Sequence, residues 1–117
     1  MTDAERAFLE RLYHAFNERD LDTALAGLHS EVDWPNGMEG GRVSGRHAVQ
    51  EYWTRQFSLI DPHIEPLGFK VTDDGRITVE VNQVVKDLVG SVLSQSRVEH
   101  VYSIEGGLIT RMEIRKP

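Results

Sequence analysis

With 117 residues and no cysteine, the chain is sized for one domain (1–117) with a single sizeable core, and it excludes disulfides, thiolate chemistry and sulfur-ligated metals. Lys and Arg number 13 against 19 Asp and Glu, a net charge of −6 with no basic run, which argues against nucleic acid as a partner. Asp3, Glu5, Arg6, Glu10 and Arg11 fall where a signal peptide needs its apolar stretch, and no apolar run reaches the length of a membrane span, so a cytoplasmic protein without a membrane partner is expected.

Thr2 and Glu5 have the spacing of a capping box, and Phe8, Leu12, Ala15 and Phe16, flanked by Leu9 and Tyr13, recur at helical period, which predicts a first helix from about 3 to 18. Asp20 caps a shorter second helix with Leu21, Ala24, Leu25 and Leu28 as its buried stripe, Gly27 allowing close packing and an end near His29. Glu31 to Trp34 reads as a short strand, stopped by Pro35, and the glycines at 37, 40 and 41 mark a loop at a rim. A third helix starts at Ser44 or Gly45. Val49, Tyr52, Trp53, Gln56, Phe57 and Ile60 give it an aromatic inner face, and Asp61-Pro62 breaks it.

From Ile64 onward the pattern turns to strands, with a first run around Gly68 to Thr72 and a turn at Asp73-Asp74-Gly75. Ile77 to Val85 then alternate, so Ile77, Val79, Val81, Gln83 and Val85 share one face. A turn from Asp87 to Gly90 leads into the longest hairpin, Val92 to Ile114, which turns at Glu105-Gly106-Gly107. In its first arm Val92, Ser94, Ser96, Val98, His100, Tyr102 and Ile104 share one face. In its second arm Leu108, Thr110, Met112 and Ile114 oppose Ile109, Arg111, Glu113 and Arg115. Three helices followed by antiparallel strands predict an α+β fold in which the helices cover one face of a curved sheet. The face with Val79, Val81, Gln83, Val98, His100, Tyr102 and Met112 is expected to meet helices one and three. On the outer face Val84, Val101 and Ile109 are apolar, which predicts a homodimer through that face.

The order of elements, and the phrases AFNERDLDTALAGLHSEVDWPNG, GRHAVQEYWTRQF and HVYSIEGGLITRMEI, resemble the nuclear transport factor 2-like superfamily, in its SnoaL-like and ketosteroid-isomerase-like bacterial branch. The resemblance implies a cone-shaped curved antiparallel sheet with three N-terminal helices on its concave face, enclosing a pocket. It implies a dimer as well, and a range of activities from isomerase and cyclase to dehydratase. In the isomerases the base is an Asp before a Pro just after the first strand, and the matching residue here is Trp34. The protonated Asp of their penultimate strand matches His100, their helix-one Tyr matches Leu12 with Tyr13 one residue out of register, and their supporting Tyr matches Trp53. The resemblance therefore implies an altered pocket rather than a steroid isomerase.

His100 suits general acid–base work or a hydrogen bond to a ligand carbonyl, and is equally read as a satisfied core histidine. Tyr13, Phe16, Trp34, Trp53 and Phe57 are candidates for an aromatic wall around a flat apolar or cyclic ligand, or plain core. Gln83, Tyr102 and Met112 share the face of His100, and a buried amide or phenol needs a partner, for which His100 is a candidate. Of the polar groups near the expected mouth, Asp33, Asn36, Glu39, Asp61 and His63, the most suggestive second catalytic candidate is Asp61, which directly follows the aromatic helix. The bland reading of each is a solvated or turn-forming side chain. The histidines at 14, 29, 47, 63 and 100 include no close-spaced ligand pair, so no metal and no cofactor are expected. The functional expectation is a small-molecule enzyme that moves a proton on an apolar oxygenated substrate; the alternative is a non-catalytic ligand-binding or protein-interaction module.

Overall fold

The computed structural model describes residues 1–116, so residue 117 of the domain expected over 1–117 lies outside the described residues. The elements run α1 (Asp3–Asn17), α2 (Leu21–Ala26), β1 (Leu28–Pro35), β2 (Arg42–Ser44), α3 (Arg46–Leu59), β3 (Asp61–Val71), β4 (Ile77–Lys86), β5 (Val92–Glu105) and β6 (Leu108–Arg115). The strands form one curved six-stranded sheet in the order β2-β1-β6-β5-β4-β3. The sheet is mixed rather than wholly antiparallel, because β1 runs parallel to β6 while every other pair is antiparallel.

The capping box at Thr2 and Glu5 forms, and Leu9, Leu12, Tyr13, Ala15 and Phe16 are buried along one stripe of α1. Arg19, at φ 62°, turns the chain out of that helix. Its guanidinium donates to the Phe16 and Pro62 carbonyls and pairs with Asp61, fixing the helix end to the start of β3. Asn17 adds a two-way amide clamp, donating to the Ile64 carbonyl at 2.7 Å and accepting from the Ile64 N–H at 2.9 Å. Helix α2 stops at Ala26, before the predicted end near His29, and Leu28 is buried as the first residue of β1. A Cβ on Gly27 would sit 3.1 Å from the Phe8 ring, so the close approach expected there is real.

Strand β3 begins at Asp61, not after Ile64, and pairs with β4 over its whole length. Pro62 and Pro66 hid it from a reading of propensity. They are tolerated because β3 is an edge strand with one side free of ladder bonds. The short β2, with Val43 beside Trp34, was not foreseen either. Gly45 precedes α3 at φ 94°, a left-handed conformation that glycine takes without steric cost.

Val79, Val81, Val98, Tyr102 and Met112 lie in one buried cluster with residues of α1 and α3, so the expected register of β4 and β5 is the observed one. In β6 the expectation holds at Met112 and fails at Ile109. Pairing slips between Ser103↔Arg111 and Ile104↔Ile109, leaving Thr110 as a bulge. The extra residue flips the strand, so Ile109 is fully buried in the core instead of facing outward. Val101 does face outward but is already covered within the chain, beside Glu113, whose carboxylate binds Arg76, Arg111 and Arg115. Of the three residues that suggested a dimer face, only Val84 stays partly exposed.

Candidate functional site

Between α1, α3 and the concave face of the sheet lies a cavity of about 410 Å³. Burial sets its direction. Along β5, Tyr102, His100 and Val98 are buried while Ser96 and Ser94 are exposed; along β4, Val79 and Val81 are buried while Gln83 and Val85 are half-buried. The deep end is therefore at Tyr102 and His100, and the mouth at Ser94, Ser96, Gln83 and Val85.

At the deep end three side chains form a chain of hydrogen bonds. Tyr102 Oη lies 2.8 Å from Tyr13 Oη, and Tyr13 Oη lies 2.8 Å from His100 Nδ1. Each phenol has one proton to give. Tyr13 is the hydrogen-bond partner of Tyr102, so Tyr102 donates to Tyr13 and Tyr13 in turn donates to Nδ1; the reverse order would leave the Tyr102 proton buried and unpaired. Nδ1 is then the acceptor, and the neutral imidazole carries its proton on Nε2. Burial pulls the His100 pKa down to about 4, which keeps the ring neutral near pH 7. Burial likewise pushes both phenols up: Tyr13 well above its ordinary value, with the neighbouring Tyr102 adding to the effect, and Tyr102 upward despite its bond to Tyr13. Neither is a source of phenolate.

His100 lines the cavity, and its Nε2 has no hydrogen-bond partner among the described residues. No fully enclosed side-chain nitrogen or oxygen among the described residues lacks a partner, so Nε2 reaches the cavity. The site thus presents one pre-aimed N–H in an apolar chamber. Trp34 and Trp53 meet edge to face at 5.5 Å, Phe16 packs on Trp53 at 5.6 Å, and all three line the cavity with Met112.

The structure brings together Tyr13, Phe16, Trp34, Trp53, Gln83, His100, Tyr102 and Met112, all of them lining residues. Two expected site residues stand elsewhere. Phe57 packs on Phe16 at 5.0 Å between ring centroids, and the Arg19 guanidinium lies over both rings, 4.1 Å from Phe57 and 5.6 Å from Phe16. Asp61 points away from the cavity because strand alternation sends its neighbours Ile60 and Pro62 inward; its half-exposed carboxylate pairs with Arg19. The partner of Tyr102 is Tyr13, not His100. Asp33 pairs with Arg42 and Arg111, and Glu39 with Asn36 and Arg55, so neither reaches the cavity. Its described lining contains no Asp, Glu, Lys or Arg. Sequence reasoning passed over Ser94 and Ser96 as site residues, although alternation already put them on the face of His100. It also passed over Tyr52 and Met38, which close the rim through a bond from the Met38 N–H to Tyr52 Oη at 3.3 Å. Among the described residues no group of three His, Asp or Glu side chains could hold a metal ion.

Residues 9–112 match the model of the SnoaL-like domain. The fold is similar to that of an NTF2-like protein of unknown function from Burkholderia pseudomallei (TM-score 0.84, 25% identity, covering 99% of this chain and 92% of that one). It is also similar to TerC co-crystallised with polyporic acid (TM-score 0.82, 25% identity, 97% of this chain and 91% of that one). A candidate polyketide cyclase from Xanthomonas campestris pv. campestris shares the fold at TM-score 0.80 and 22% identity, over 94% of this chain and 87% of that one. The comparison with curated proteins gives no match. Matched over most of its length, and built as a helix-covered curved sheet around a cavity, the chain belongs to the SnoaL-like family of the nuclear transport factor 2-like superfamily.

Proposed function

We propose that this chain is a SnoaL-like small-molecule enzyme that acts by proton transfer on a flat, apolar, oxygenated substrate, with the His100 Nε2–H donating to a carbonyl or phenol oxygen. The observation that carries this reading is the bond from Tyr13 to His100 Nδ1, which fixes the proton on the nitrogen facing the cavity. A neutral imidazole donor in an apolar chamber stabilises negative charge that develops on an oxygen, as in enolisation, and the preset orientation removes the cost of reorganising it. No carboxylate lines the chamber to serve as the base. The C–H proton therefore leaves to solvent at the open mouth, which suits a substrate whose C–H is already acidified by two flanking carbonyls, folded by the aromatic wall for isomerisation or cyclisation. That TerC was co-crystallised with polyporic acid supports small-molecule binding by the fold.

The missing carboxylate also favours a second reading, in which the same donor holds a ligand without changing it. Incubation with flat ketones, phenols and linear polycarbonyls, followed by mass and chromatographic analysis, separates the two: an enzyme yields product, a binder returns its ligand unchanged. His100→Ala should weaken turnover or affinity about 10-fold or more, as expected when a desolvated oxygen loses its donor. The proposal extends to a cytoplasmic homodimer paired through the convex face, on the resemblance alone; sedimentation at monomer mass at tens of micromolar would remove the dimer.

A further inference from the structure

The mouth of the cavity carries a second polar cluster, separate from the Tyr13–His100–Tyr102 chain. Gln83 and Ser96 are cross-strand partners on the concave face, and Ser94 follows on the same face beside Val85. Among the described residues none of these three side chains has a hydrogen-bond partner, so their amide and hydroxyl groups are available to a ligand in the cavity they line. The convex face of the same strand segments carries Asn82, Val84, Gln95 and Arg97. The concave face at the mouth carries an amide and hydroxyls, which hydrogen-bond without charge.

Ser96 and His100 are four positions apart on one face of β5, about 13 Å of strand at about 3.3 Å per residue. Between the two ends the wall is apolar and aromatic. We propose that the cavity is built for an uncharged, flat ligand with an oxygen at each end, one on the His100 Nε2–H and the other on Gln83 and Ser96. This deepens the reading above, since His100 is one of the two ends. The neutrality requirement follows from the lining: a carboxylate or ammonium drawn inside would meet no counter-ion among the described lining residues and would lose its hydration uncompensated. The ligand chemistry is that of diphenols, quinones or diketones built on two linked or fused rings.

The test is titration calorimetry with 4,4′-dihydroxystilbene, 4-hydroxystilbene and 4′-hydroxystilbene-4-carboxylate on the wild type, a Gln83→Leu/Ser96→Ala variant and a His100→Ala variant, each checked for folding by thermal melting. The wild type should bind the dihydroxy probe about 10-fold more tightly than the monohydroxy probe and the carboxylate about 10-fold less tightly than the dihydroxy probe. In the Gln83→Leu/Ser96→Ala variant the advantage of the second hydroxyl should shrink to about twofold. Equal binding of the mono- and dihydroxy probes by the wild type, preference for the carboxylate, or no binding of the dihydroxy probe up to its solubility limit would overturn the proposal. Unchanged affinity in His100→Ala alongside a lost second-hydroxyl advantage in the mouth variant would instead overturn the donor role of His100 and leave the mouth cluster standing.

Discussion

Tyr13 Oη stands 2.8 Å from His100 Nδ1, so a hydroxyl on the first helix selects which nitrogen of a sheet histidine carries the proton. The geometry depends on two periods meeting. Tyr13 is on the buried stripe of α1, and His100 and Tyr102, two apart on β5, face it together, with Tyr13 and Tyr102 edge to face at 6.3 Å.

Tyr13→Phe should cost more than Tyr102→Phe. The first leaves both Nδ1 and the Tyr102 hydroxyl unpaired in a buried place, about 2 kcal/mol or more, whereas the second removes one donor and leaves the Tyr13–His100 bond in place, about 1 kcal/mol. Urea unfolding of both variants checks the order; equal costs would mean that the chain of bonds does not run as assigned.

His100 gives stability a pH dependence of definite sign. The unfolded chain takes up this proton near the ordinary value of 6.5 and the folded chain only near about 4, so between those values the unfolded state binds more protons and stability falls as pH falls. The gap corresponds to about 3 kcal/mol, fully lost below about pH 4. Carboxylates titrate in the same window, so the measurement is the difference between the wild type and His100→Gln from pH 7 to 4: the wild type should lose the larger share. Parallel curves would contradict the buried, neutral ring.

Asp61→Asn should change stability by less than about 1 kcal/mol, since its pair with Arg19 is half-exposed. It should leave ligand affinity and turnover as they are. A large loss of activity would bring Asp61 into the reaction and displace the present reading of the site.

Ile109→Ala should destabilise by about 2–5 kcal/mol, the cost of a large-to-small change in a packed core, whereas Val84→Ala should cost well under that. The comparison, made by chemical denaturation, tests the bulge at Thr110 directly.

The helices and the register of β4 and β5 were legible because their signals are local: a capping box, a 3.6-residue stripe, strict alternation from Ile77 to Val85. Ile109 was misplaced because a bulge is a property of two strands in register, and nothing in LITRMEI marks the extra residue. The early start of β3 was hidden by Pro62 and Pro66, whose tolerance depends on an edge position that only the sheet order reveals. At the site, His100 and Tyr102 could be read from alternation, and the resemblance pointed to the same strand position. What stayed hidden was the pairing of Tyr13 with both, because it depends on the distance between a helix and a strand some 87 residues apart. Asp61 looked suggestive by adjacency to the aromatic helix, and alternation at the helix-to-strand junction turned it outward.

The most direct test of the central claim is nitrogen-15 NMR of the His100 imidazole, with and without a flat phenol or ketone that binds. The account requires the neutral Nε2–H tautomer from pH 8 down to about pH 5, below which the ring charges toward its value of about 4, with ligand addition moving Nε2 and leaving Nδ1 in place. A proton on Nδ1, a ring that titrates near pH 6.5, or an Nε2 signal indifferent to every ligand that binds would contradict it.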